Sequence, residues 1–524
     1  MKVALKAYGE TGILACALNE KQRAGLCRAL LGKKPGGCLE YVEGFDSVLF
    51  VFERPTSVEA LAKWLRSIPA AKPEKKKRII DVPVVYNGPD LKEVAKQTGL
   101  GAGEVIQLHS DPIYTVRMSG FTPGFPYLDG LDERLHLPRK KSPRKRIKAG
   151  SVAIGGSHAG IYSVGSPGGW HLLGHTELEL FNPTGAKGAN PDPERIFRFA
   201  PGDRLRFRAV EAGRSRKGRD VGGRQLSDRE KPAGGGTPTI PCLKVVSPGS
   251  GLSLQDAGRG GWLRYGVPRG GAIDRRAMRA ANKLLGNRPN APVLEILLQG
   301  AKLKVLQDTW IALAGADSCP ALPARTAREF KAGEVIEFAA KADGLFAYLA
   351  VPGGFAADRW FGSVSVDLRN GLGKAVKRGD ELISGKKKPN ASTEGVARRL
   401  LGEEEGGVHG PEHTFQLLPG PQFEAFSRKA RETLVKSDWI VSDQSDRTGY
   451  RLEGPKLEVP DAIPSEPVLP GSFQVPGRGL PIVTMVDGPT VGGYPKIAVL
   501  QDADRDRLAQ CAPGSKLRFQ WAES

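Results

Sequence analysis

Between Glu211 and Ile240 the sequence reads EAGRSRKGRDVGGRQLSDREKPAGGGTPTI. Almost no large apolar side chain occurs in it. Such a stretch buries too little surface to order itself, so it reads as a basic, flexible linker. This segment constrains the chain more than any other. It divides 524 residues, a length that suits two to four domains, into two halves. The 67 glycines and 40 prolines suit many short strands and tight turns better than long helices.

Residues 1–80 read as a small α+β unit. VALKAY, GILACAL and SVLFVFE predict strands, and Lys21–Leu31 a helix. Ser57–Ile68 predicts a second helix with Ser57 as its cap. Residues 81–210 continue with the strand IIDVPVVY, which starts at residue 79, and a helix at Asp90–Gln97 ending near Gly99. A glycine- and proline-rich stretch follows, closed by GDRLRFRAV, where Leu205 and Phe207 share a face. This pattern predicts a barrel or sandwich. Residues 241–524 are again strand-rich, with a helix at Arg275–Leu285, a weaker one at Phe423–Leu434 and a polar insertion at 386–407. The final PGSKLRFQW echoes PGDRLRFRA of the first half, hinting that the halves share an architecture.

The net charge is +20, but it is dispersed. Lys75–Arg78 is one basic run, and RKKSPRKRIK at 139–148 holds seven Lys or Arg in ten residues. No nucleic-acid-binding signature accompanies them, which argues against a nucleic-acid partner. Six scattered cysteines without a C-x-x-C pair suit a reducing compartment and no structural metal. No 18-residue apolar run and no leader pattern occur, so a cytoplasmic protein without a membrane partner is expected.

Common enzyme motifs are missing, including the phosphate-binding G-x-x-x-x-G-K-[ST] and G-x-S-x-G. GSHAGIYSVGSPGGWHLLGHTELELF (156–181) instead gathers glycines with serines and histidines. His171 and His175 fall on a strand, where i and i+4 lie about 13 Å apart, too far for one metal.

The segments GFTPGFPYLDGLDERLHLPRKKSPR, AGSVAIGG and SPGGWHLLGHT resemble the B component of bacterial ATP-dependent 5-oxoprolinase. LSLQDAGRGGWLRYGVPRGGAID, LLPGPQ, SDQSDRTGYRLEGP and VDGPTVGGYPKIAVLQDAD resemble its C component. These proteins were formerly called allophanate hydrolase subunits 1 and 2, and both resemble the carboxyltransferase region of urea carboxylase. The resemblance implies a mainly β fold with α+β: cyclophilin-like β-barrel domains after a small N-terminal α+β domain. It implies a fused B–C component that activates 5-oxoproline for ring opening to glutamate, using ATP (with Mg) and a separate A-type component of 5-oxoprolinase as partner. Two alternatives stay open. One is a biotin-dependent carboxyltransferase component, and the other is a non-catalytic regulator like the kinase inhibitor in this family. A homo-oligomer is also left open.

For that chemistry Asp487, Lys496 and Asp274 are the catalytic candidates. Asp256, Arg259, Arg447, Thr490 and Tyr494 are candidates for substrate or nucleotide binding in the second half, and Tyr127, Ser151, Ser166, Trp170 and His175 in the first. Charge and donors around phosphates are the reason for choosing the cations. RKKSPRKRIK reads as a basic loop at the pocket rim. Several positions depart from the family pattern, among them His158, His175, Gly270, Val364, Val366, Thr448 and Val491.

Overall fold

The computed structural model describes residues 3–68, 79–140, 142–211, 240–297, 300–339, 344–386 and 412–523. Apart from their edges, the linker, the 386–407 insertion and the run Lys75–Arg78 lie outside the described residues.

The N-terminal unit is a four-stranded antiparallel sheet with helices Glu20–Gly32 and Val58–Ser67. Asn19 and Ser57 cap these helices by accepting the N–H groups of Gln22 and Ala60, which have no partner within the helix. One face of the sheet packs on the helices through Leu26, Phe50 and Leu61. The other joins a core with Tyr127 and Trp170 of the next unit and Val491 of the last. Covered on both sides, Val48–Phe52 is buried along its whole length.

Residues 79–209 form a seven-stranded sheet. Its edges meet where Val85 and His175 exchange N–H···O bonds of 2.9 Å, which closes a barrel. Residues 412–521 form a second closed barrel, also of seven strands. With each barrel's strands numbered along the chain, both rings run six, four, five, three, two, seven, one. In both, the last strand pairs parallel with the first and antiparallel with the second. These last strands are Arg204–Ala209 and Lys516–Trp521, the two sequences that echo one another. Even the strand pairs outside the rings correspond: Arg144–Ile147 with Ser166–Gly168, and Glu466–Pro467 with Val491–Gly492.

Between the barrels, residues 240–384 build two five-stranded sheets around a shared core that includes Leu243, Ile296, Leu313 and Leu349. Helix Arg275–Leu284 packs on the outer side, in a core continuous with that of the second barrel. Backbone bonds tie the halves together: Phe45 N–H to Ser465 O, Gly124 N–H to Tyr265 O and Phe361 N–H to Ala186 O, all 2.8 Å. All six cysteines are free. No described helix is long and apolar enough to cross a membrane.

Candidate functional site

A cleft of about 540 Å³ opens between the halves. The first half supplies Gly150, Ser163 and the strand end His175–Phe181, and the second half supplies Leu368–Gly371. Gly150 sits at φ +82°, and a Cβ there would fall 2.2 Å from Thr176 O, so only glycine lets these two segments of the first-half wall pack together. Ser151 is the strand partner of His175, so these two candidates are brought together at the cleft.

The wall from the second half is a short 3₁₀ turn, Leu368–Asn370, held by Asp367. Asp367 accepts the Asn370 N–H at 3.2 Å and Asn370 Nδ2 at 2.6 Å. Arg369 Nη1 donates to Thr448 Oγ1 at 3.1 Å, which joins the cleft to the loop carrying Arg447.

Arg447 is the hub of a charged cluster. Its Nε donates to Asp487 at 2.7 Å, Nη1 to Glu295 at 2.5 Å and Nη2 to the Gly271 carbonyl at 2.6 Å. Against the burial that would lower it, the carboxylates of Asp487 and Glu295 hold Arg447 protonated. Burial pushes Asp487 up to about 6 against the pull of Arg447. Arg259 lies beside this pair, fully buried, and donates to the carbonyls of Pro268 and Ser365. Asp256 accepts the hydroxyls of Ser363 and Ser365 and the N–H groups of Gly258 and Val364. The segment carrying Val364 and Val366 is therefore fixed by its backbone and serines. Asp274 stands apart. It caps helix Arg275–Leu284 and receives Gln510 Nε2 at 2.7 Å. Burial, and then Asp506 nearby, push it up to about 7.

A second buried polar centre lies where the N-terminal unit meets both barrels. Lys496 pairs with Glu466 at 2.5 Å, and Gln422 Nε2 donates to the same carboxylate at 2.7 Å. Burial lowers the Lys496 ammonium from its ordinary value. The neighbouring Ser465 receives Arg139 Nη2 at 2.8 Å and hydrogen-bonds Tyr127, whose ring stands 5.7 Å from Trp170. Thr490 is buried with its hydroxyl unpartnered, and Ser166 likewise. Tyr494 is exposed.

The structure thus sorts the candidates into three groups. His175 lines the cleft with Ser151 as its strand partner, and Asp256, Arg259, Arg447 and Asp487 form a buried cluster that the Arg369–Thr448 bond joins to it. Lys496, Thr490, Tyr127 and Trp170 belong to the interior junction. RKKSPRKRIK is not a free rim loop. Its Arg144–Ile147 portion is a strand, and Lys140 and Arg144 both clamp Asp90. Against the burial that would raise it, bonds from Arg144, the Leu172 N–H and Lys140 hold Asp90 down to about 2. Sequence reasoning missed Glu295, Glu466, Arg369 and Asn370. Of these, only the polar turn DLRNGLG (367–373) carried a legible signal, the glycine-flanked polar pattern of a functional loop.

A barrel of one topology is used twice, with a cleft between the halves, and the sequence of each half matches a carboxyltransferase-domain family. The family described as carboxyltransferase domain, subdomain A and B, matches residues 265–521, and subdomain C and D matches residues 4–190. The C component of 5-oxoprolinase from Escherichia coli K12 is 37% identical over 290 residues, covering 53% of this chain and 90% of that protein. The B component of 5-oxoprolinase from Escherichia coli O157:H7 is 42% identical over 177 residues, covering 32% of this chain and 77% of that protein. The crystal structure of TTHA0988 superposes with a TM-score of 0.81 at 31% identity, over 97% of this chain and 99% of that one. The chain belongs to the family of 5-oxoprolinase B and C components, the two joined in one polypeptide, and its cyclophilin-like barrels carry the fold that the sequence resemblance implied.

Proposed function

We propose that this chain is the fused B–C component of a cytoplasmic 5-oxoprolinase, acting with a separate A-type component. Water adds across the lactam C–N bond of 5-oxoproline; the ring carbonyl becomes a carboxylate and the ring nitrogen an amine. One observation carries the reading: the cleft is built jointly by the B-like and C-like halves, so neither half alone would complete it. The names of the relatives, both 5-oxoprolinase components, support it.

ATP, with Mg, enters as the energy source of the whole complex. The cations chosen from sequence for its phosphates do not fit that role. Arg447 and Lys496 are engaged by carboxylates and Arg259 by backbone carbonyls, so none of these three presents an open donor set to a triphosphate. No residue of this chain is assigned to the nucleotide.

The experiment is glutamate and ADP release from 5-oxoproline plus ATP, with and without the A-type component from the same organism. Stoichiometric, partner-dependent release is expected. A folded, partner-bound complex that releases neither product overturns the reading. The carboxyltransferase family match favours one alternative, a biotin-dependent carboxyltransferase component, which would capture a biotinylated protein in a pulldown.

A further inference from the structure

We infer that Arg369, carried on the turn Asp367–Asn370, reads the carboxylate of the substrate. The inference rests on the 5-oxoproline reading above.

The turn supplies four consecutive residues, Leu368–Gly371, to the cleft wall. Its conformation is fixed before any ligand arrives. Asp367 and Leu372 exchange backbone bonds of 2.7 and 2.9 Å across its base, and the Asp367 side chain holds Asn370 from within. A carboxylate only accepts hydrogen bonds, so the Asn370 amide must turn its NH₂ toward Asp367. The Asn370 amide is thereby enclosed within the turn, with its Oδ1 buried, and serves to fix the turn.

Arg369, the residue before, is exposed, and Thr448 Oγ1 is its one partner among the described residues. A guanidinium carries five N–H donors in a planar fork, which suits a carboxylate held by two bonds. Glu177 and Glu179 on the facing wall each have an interaction of their own.

The test uses the full chain in complex with the A-type component and compares Arg369→Gln, Arg369→Lys and the parent protein. Arg369→Gln is expected to raise KM for 5-oxoproline at least tenfold with kcat within about threefold, the loss expected for a charge-assisted bidentate bond. Arg369→Lys should recover part of that loss. Inhibition by 2-pyrrolidinone, which lacks the carboxylate, should be the same in all three, a result that a merely structural role for Arg369 would not give. An active parent complex whose Arg369→Gln variant keeps its KM overturns the carboxylate assignment. If the parent complex makes no glutamate at all, the functional reading itself falls, and this inference falls with it.

Discussion

Lys496 has no exposed surface, and its ammonium lies 2.5 Å from the Glu466 carboxylate. A lone charge in that position would be far costlier than the pair, because removal of one partner strands the other in a medium of low polarity. Lys496→Met should lower unfolding free energy by about 3–5 kcal/mol. Adding Glu466→Gln should cost far less than its effect alone would suggest. Urea denaturation of the two singles and the double gives the coupling. Strictly additive losses would show that the pair does not act as a unit.

Asp274 holds its proton in the folded chain up to about pH 7, whereas its ordinary value is 3.8. Its stabilising contribution is therefore complete below about pH 4 and disappears as pH rises through 7. Asp506, whose own carboxyl is raised by burial, and Arg276 are the charged groups facing it. Asparagine caps a helix as well as aspartate does. Asp274→Asn should thus flatten the decline in Tm between pH 5 and pH 8 relative to the parent chain. Parallel Tm curves for the two proteins would contradict this.

Gly120 lies against the opposite half of the chain. A Cβ at this position would meet Val491 Cγ2 at 2.5 Å, and Val491 is fully buried. Gly120→Ala should cost about 1–3 kcal/mol by overpacking the seam. Val491→Ala should restore part of it, since Cγ2, the nearest of the clashing atoms, then vanishes while Cβ at 2.9 Å remains. Chemical denaturation of the single and double variants measures both effects.

In the family pattern that the sequence resembles, serine is usual at the position of Gly270. Here its φ is +62°, and a Cβ would sit 2.7 Å from Arg259 Nη1. That guanidinium is buried and held by two carbonyls, so it has no easy way to yield. Gly270→Ser should destabilise this chain by roughly 1–3 kcal/mol even though it restores the usual residue. An unchanged Tm would mean that Arg259 moves freely.

The helices legible in the sequence were those with side-chain signals at their ends. Ser57 before Val58–Ser67 and Gly99 after Leu91–Thr98, in the left-handed conformation, both stand where the sequence placed them. Ala102–Ser110 was missed because it opens on glycines; its start is held by Glu104 reaching back to the Gly101 N–H at 2.7 Å. Asp502–Ala509 was missed for a different reason. It buries Asp504, Arg505 and Asp506, so no apolar stripe marks it. The helix expected at Phe423–Leu434 is broken at Ser427, which caps a later helix, Arg428–Lys436.

The site was legible where polar residues neighbour glycine, as at Asp256, Arg447 and Asp487. Its counter-charges were hidden. Glu295 sits inside the apolar strand VLEIL, where sequence periodicity reads only core, yet it fixes Arg447 and accepts the Tyr348 hydroxyl at 2.9 Å. A long-range pairing of that kind, 152 residues apart, leaves no local trace.

In each barrel the closing strand runs alongside the opening one in the same direction. A chain that enters such a barrel at one rim must therefore leave it at the opposite rim. Two barrels of this design can be strung along one polypeptide without the connection having to double back across either of them. Joining two formerly separate proteins end to end then asks nothing of the barrels themselves. Only the spacer between them has to be invented.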